Sequence, residues 1–138
     1  MSWIVYALIS ALAAAATAIL AKVGVEGVPA TLATAIRTLV VLVFAWAIAI
    51  GLDQQRVIPT LSRRSLLFLA LSGLATGVSW LAYMRALQMA PASWVAPIDK
   101  LSLPLTLLIA GVFLRETITW QMGAGAALMV LGALLTRG

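Results

Sequence analysis

The sequence predicts an all-α integral membrane protein of five transmembrane helices, and three observations predict it. Of its 138 residues 64% are hydrophobic and only 9% charged, against roughly 25% charged in an ordinary soluble domain. The mean hydropathy is +1.13. Five apolar runs approach the length of about 20 residues that a hydrocarbon core requires: 3–21, 31–52, 66–87, 94–114 and 118–135.

The first run, Trp3 to Ala21, carries no charge. Met1-Ser2-Trp3-Ile4 lacks the basic start of a secretory leader, so this segment is expected to stay in the membrane although Ala11 to Ala16 imitate a small-residue cleavage site. Lys22 to Pro29 punctuates the passage to the second run, Thr31 to Leu52. Asp53 to Arg64, with Pro59 and three arginines, is the one long polar loop before the third run, Leu66 to Leu87. Ala90-Pro91-Ala92-Ser93 reads as a tight turn, and Arg115-Glu116-Thr117 as a tighter one before the last run, Ile118 to Leu135. No linker divides the chain, which is expected to form one helical membrane unit over residues 1–138.

The fourth run, Trp94 to Leu114, contains the most informative stretch, Pro97-Ile98-Asp99-Lys100-Leu101-Ser102-Leu103-Pro104. Ionised groups in a membrane span are costly and are functional candidates by default. Pro104 has no N–H for the carbonyl of Lys100, so backbone polarity is expected to be freed beside the charges, as in transporter helices that break around a cavity. At about 1.5 Å per residue, Asp99 lies roughly 8 Å inside its helix and Arg37 roughly 9 Å inside its own, both within snorkelling range of the interface. Adjacent helical residues do not face each other, which predicts separate partners for Asp99 and Lys100. Asp99 with Arg37 or Arg85 is the expected pair, either as a structural staple between helices or as a site for substrate or a coupling proton. Trp80 and Tyr83 either line a cavity for an organic solute or pack against glycine gaps. Trp3, Trp94 and Trp120 fall near interfaces and read as anchors.

Small residues mark helix contacts in membranes. Gly73 and Gly77, one turn apart, are expected to pack within the subunit, and Gly125 and Gly132 on the last helix to be freer to meet a partner. Glu116 is expected just before a helix amino terminus, where the dipole favours an acid.

Composition also excludes. With no cysteine and no histidine, disulfides, ordinary zinc sites and imidazole catalysis are ruled out. No metal site, cofactor or enzymatic activity is expected, since no serine has a base at helical spacing. The net charge of +5 comes from basic residues spread singly, which argues against nucleic acid and for membrane topology. Gly73 to Gly77 lacks the Lys-Ser/Thr of a phosphate cradle. Five spans put the termini on opposite sides. Arg56, Arg63, Arg64 and Arg115 then share one side with the amino terminus, and Lys22, Arg37, Arg85, Lys100 and Arg137 share the other. This near-balance fits noise on a short chain, with the Arg56–Arg64 cluster still fixing the loop inside. It also fits dual topology, with copies inserted both ways.

The segment Trp80-Leu81-Ala82-Tyr83-Met84-Arg85-Ala86-Leu87-Gln88-Met89-Ala90-Pro91-Ala92-Ser93, the Pro97-to-Leu103 stretch and Phe113-Leu114-Arg115-Glu116-Thr117-Ile118-Thr119 resemble the EamA family of the drug/metabolite transporter superfamily. The resemblance is strongest from Gly73 to the carboxyl terminus. It implies one half of a ten-helix inverted-repeat fold, in which two five-helix repeats rock around a midplane cavity. This chain has one repeat, so the resemblance implies a second copy inserted upside down, or a paralogous half-size partner. It further implies a secondary transporter of small organic metabolites, often outward, in a bacterial-type inner membrane. Two alternatives stand beside it. One is proton-coupled efflux of cationic drugs, which in related small pumps uses an acid in the first helix that Trp3 to Ala21 does not have. The other is a non-transporting scaffold or regulatory subunit. On the resemblance, the substrate or coupling candidates are Asp99, Lys100, Arg37, Arg85, Trp80 and Tyr83, with Pro97 and Pro104 as the helix break.

Overall fold

The structure is a computed structural model that describes residues 2–136. Arg137, one of the charges weighed for topology, lies outside them. Six α-helices follow in order: α1 (Trp3–Gly24), α2 (Ala30–Gly51), α3 (Arg63–Met89), α4 (Ala92–Asp99), α5 (Ser102–Phe113) and α6 (Trp120–Leu135), with a short 3-10 helix, Gln54–Thr60, between α2 and α3. The described residues contain no strand. The helices are apolar on all sides, as lipid requires. Trp3–Gly24, Ala30–Gly51, Arg63–Met89 and the combined Ala92–Phe113 are each long and apolar enough to cross a membrane, whereas α6 has 16 residues.

The chain forms two compact units, one from Ala21–Gln88 and one from the described parts of Met1–Leu20 with Met89–Gly138. Within 21–88, Val25, Met84 and Leu87 are buried, and Leu87 is fully so. The turn after α1 closes with Gly27 at φ +72°, a left-handed conformation that glycine adopts without a Cβ penalty. Pro29 precedes the first residue of α2, and its carbonyl accepts from the N–H of Ala33 at 2.9 Å. Inside α2 the hydroxyls of Thr34 and Thr38 donate to the carbonyls of Ala30 and Thr34, each at 2.8 Å. Thr76 in α3 does the same with Ser72 at 2.9 Å. Bonding back to the preceding turn satisfies a hydroxyl that lipid could not.

α3 starts three residues earlier than its hydropathy suggests because Ser62 caps it. The Ser62 hydroxyl accepts from the N–H of Ser65 at 3.0 Å, the bond expected of an N-cap. Arg63 and Arg64 thereby enter the helix, and the Arg64 guanidinium lies 5.8 Å from the Phe68 ring one turn on.

In the other unit α6 packs against both α4 and α5, with Val95, Pro104 and Ala133 buried. α5 ends where Arg115 turns left-handed at φ 55°. The Ala110 carbonyl accepts from both Leu114 at 3.0 Å and Glu116 at 3.3 Å. The chain then runs extended to Thr119, whose side chain accepts from the N–H of Met122 and starts α6 at Trp120. Glu116 therefore stands four residues before that helix, beyond the turn over which the dipole acts, and the expected dipole role is corrected.

A Cβ built on Gly73, Gly77, Gly125 or Gly132 would meet nothing within 4 Å. Among the glycines of the described residues, Gly111 of α5 is the one in close contact, where a Cβ would collide with the Ile118 side chain.

Candidate substrate-binding site

Arg37, Trp80 and Tyr83 come together between α2 and α3. The Arg37 guanidinium carbon lies 3.0 Å from the centre of the Trp80 ring. Trp80 meets Tyr83 edge to face, with ring centroids 5.5 Å apart and an interplanar angle of 75°. Arg37 is seven residues into α2 and Trp80 nine residues from the end of α3, which puts both about 10–14 Å inside the helix ends. Trp80 and Tyr83 fall on one face because three residues make nearly one helical turn. A guanidinium keeps its charge in proteins, and the indole face is the best neutral surface against which to hold it. One nitrogen of the group, Nη1, is shielded and lacks a hydrogen-bond partner.

Nearer the end of this unit lies a cavity of about 460 Å³ lined by Lys22, Val25, Glu26, Gly27, Arg85, Leu87 and Gln88. Its wall is cross-linked. Lys22 Nζ donates to the Leu87 carbonyl oxygen at 2.5 Å, and Gln88 Nε2 donates to that of Val28 at 2.7 Å. The exposed Arg85 donates from Nη1 to Gln88 Oε1 at 3.1 Å. Gln88 holds this corner together, yet sequence reasoning gave it no role. Its only signal was a place three residues after Arg85 and three before Pro91.

Asp99 and Lys100 belong to the other unit, at the end of α4. The expectation of separate partners is corrected: Lys100 Nζ lies 3.3 Å from Asp99 Oδ2, with side chains 55% and 35% exposed. The helix stops at Lys100, with ψ at −5°, so the rule for neighbours on a continuous helix no longer applies and the lysine stem folds back. The expected staple from Asp99 to Arg37 or Arg85 would join the two units, and within its own unit Asp99 has Lys100 as its ion-pair partner. The backbone is also less open than expected. The Lys100 carbonyl that Pro104 cannot serve accepts from Leu103 N–H at 3.0 Å, and that of Ile98 accepts from Leu101 at the same distance. Pro104 is the third residue of α5, a position whose N–H has no partner within the helix anyway. The break between α4 and α5 is thus a tight 3-10-like turn rather than an unwound segment. Among the described residues no cluster of acidic side chains could hold a metal ion.

Residues 1–138 match the EamA-like transporter family. A protein of Sinorhizobium sp., named an uncharacterized transporter in the cobO 3' region, is 46% identical over 134 residues, covering 97% of this chain and 95% of the relative. No solved structure matches the chain. With its apolar helices and this match along the whole length, the chain belongs to the EamA-like transporter family and is an integral membrane transporter.

Proposed function

We propose that this protein is a secondary transporter that exports a small organic metabolite across a bacterial-type inner membrane. In this reading it works as an antiparallel pair of copies, with a paralogous half-size partner as the other way to complete the fold. The observation that carries the reading is the length of the Sinorhizobium relative. Because 95% of that protein is matched, the relative has the length of a single five-helix unit, whereas inverted-repeat transporters need two such units around their cavity. The unpaired apolar helix faces and the near-balance of basic residues across the membrane support the same arrangement. Arg37, Trp80 and Tyr83 would face the solute at intermediate depth. Export is assigned from the resemblance of the sequence to outward-moving transporters, and an ion gradient or the solute's own gradient would drive it.

Topology mapping with reporters fused in turn to each terminus tests the pairing. Reporter signal from both faces of the membrane is expected for each fusion, and signal from one face alone would end the antiparallel homodimer. Flux through vesicles carrying the purified protein tests the activity. Absence of flux across a broad metabolite panel would favour a scaffold. The cationic-drug alternative has no observation in its favour, since α1 holds no acid and the cluster described above carries a fixed positive charge.

A further inference from the structure

We infer that Arg37 and Trp80 recognise an anionic group, a carboxylate, on the transported solute. The inference rests on the reading of these residues as facing the solute. Three observations support it. Arg37 is a permanent cation within a membrane-spanning helix, and its Nη1 is a shielded donor lacking an acceptor; a shielded polar group of this kind calls for a partner. The unit 21–88 holds six basic residues (Lys22, Arg37, Arg56, Arg63, Arg64 and Arg85) but only two acids, Glu26 and Asp53. Asp53 is already paired with Arg56 at 3.2 Å, so the unit keeps an excess of positive charge. The third is geometric. The guanidinium is a planar fork suited to two parallel bonds with a carboxylate, and here it rests on an indole rather than on an acid.

Nη1 is shielded while Arg37 lies over Trp80, so a carboxylate that engages it shifts the guanidinium against the ring. Empty and loaded states therefore differ in the contact between these two residues. That gives the solute a means of favouring one state over the other, since only differential interaction can shift such an equilibrium. It also makes Trp80 a reporter.

The test uses the full chain with Trp3, Trp46, Trp94 and Trp120 changed to Phe, leaving Trp80 as its one indole, in phosphatidylcholine vesicles. Benzoate and glutarate are titrated against the neutral benzamide and the cationic benzylamine while Trp80 emission is recorded. A saturable change with at least one carboxylate and none with benzamide or benzylamine is expected. Arg37→Gln should raise the half-saturating concentration at least about tenfold, the loss expected for a charge-assisted bond, and Arg37→Lys should fall between. No response to either carboxylate, or an equal response to benzamide or benzylamine, overturns the inference. Neither result depends on whether an Arg37 variant folds. Flux assays on native vesicles separate the two proposals. Transport of only neutral or cationic solutes, undiminished by Arg37→Gln, sinks anion recognition and leaves the transporter standing. A carboxylate-selective Trp80 response without any flux supports the inference and counts against transport.

Discussion

Lys22 and Leu87 are joined across 65 residues of sequence by a 2.5 Å hydrogen bond from the lysine ammonium to the main-chain carbonyl oxygen. Leu87 is two residues from the end of α3, where the carbonyls of the last turn have no N–H within the helix and the dipole favours a cation. Lys22 therefore ties the end of α1 to the end of α3. Gln88 adds a second tie one residue on, to Val28 at 2.7 Å. Lys22→Met should lower stability in detergent by about 2 kcal/mol, the range for a hydrogen bond to a charged group, and Gln88→Leu by about 1 kcal/mol. The double variant should lose less than the sum, by roughly 0.5 kcal/mol or more, since both bonds hold one corner. Thermal unfolding of the four proteins measures this, and strict additivity would show that the ties act independently.

Gly111→Ala sets two effects against each other. Alanine gains up to about 1 kcal/mol over glycine in a helix interior, but its Cβ would collide with Ile118 Cδ1 and lie 3.1 Å from Cγ1. Overpacking costs about 1–3 kcal/mol, so a small net loss of stability is expected. Ile118→Ala removes both atoms. In that background Gly111→Ala should become stabilising, and a loss unchanged by Ile118→Ala would place the constraint elsewhere.

These two pairs mark how far the sequence could be read. The helices were legible because apolar runs of this length cross lipid as helices, which satisfy their own backbone groups, and their ends were not, because caps rather than hydropathy set them. Ser62 extends α3 to include two arginines, and Arg115 with Thr119 delays α6 to Trp120. Arg37, Trp80 and Tyr83 could each be named as candidates because each is unusual in an apolar helix, but the contact between Arg37 and Trp80 joins two helices and has no local signal. The Gln88 bond to Val28 was hidden because it depends on where two loops end. The Asp99–Lys100 pair was hidden because it depends on the turn at Lys100, a matter of backbone dihedrals that hydropathy does not carry.

Arg115 is held at φ 55°, a left-handed conformation that costs a residue with a Cβ roughly 1–2 kcal/mol. Glycine meets no such penalty but loses more entropy on folding. Arg115→Gly should therefore gain about 0.5–1 kcal/mol in thermal unfolding, with the Glu116 bond to the Ala110 carbonyl retained. A loss of stability would mean that the arginine side chain contributes more than its backbone costs.

Asp99→Asn separates charge from architecture at the turn between α4 and α5. The Asp99–Lys100 pair is local and well exposed, at 35% and 55%, and such pairs contribute about 0–1 kcal/mol. Asparagine keeps the shape, and the turn from Ile98 to Leu103 is held by main-chain bonds that the substitution does not touch. Thermal stability and protein level should stay close to those of the native chain. With the solute bound at Arg37, flux should stay close as well, because the acid is neutralised by its own neighbour rather than by the site. A loss of about tenfold in flux, near 1.4 kcal/mol of transition-state free energy, in a variant of unchanged stability would return Asp99 to the transport pathway. The coupling proton would then be its natural ligand, and the flux of native protein, unlike that of Asp99→Asn, should depend on the pH difference across the vesicle membrane.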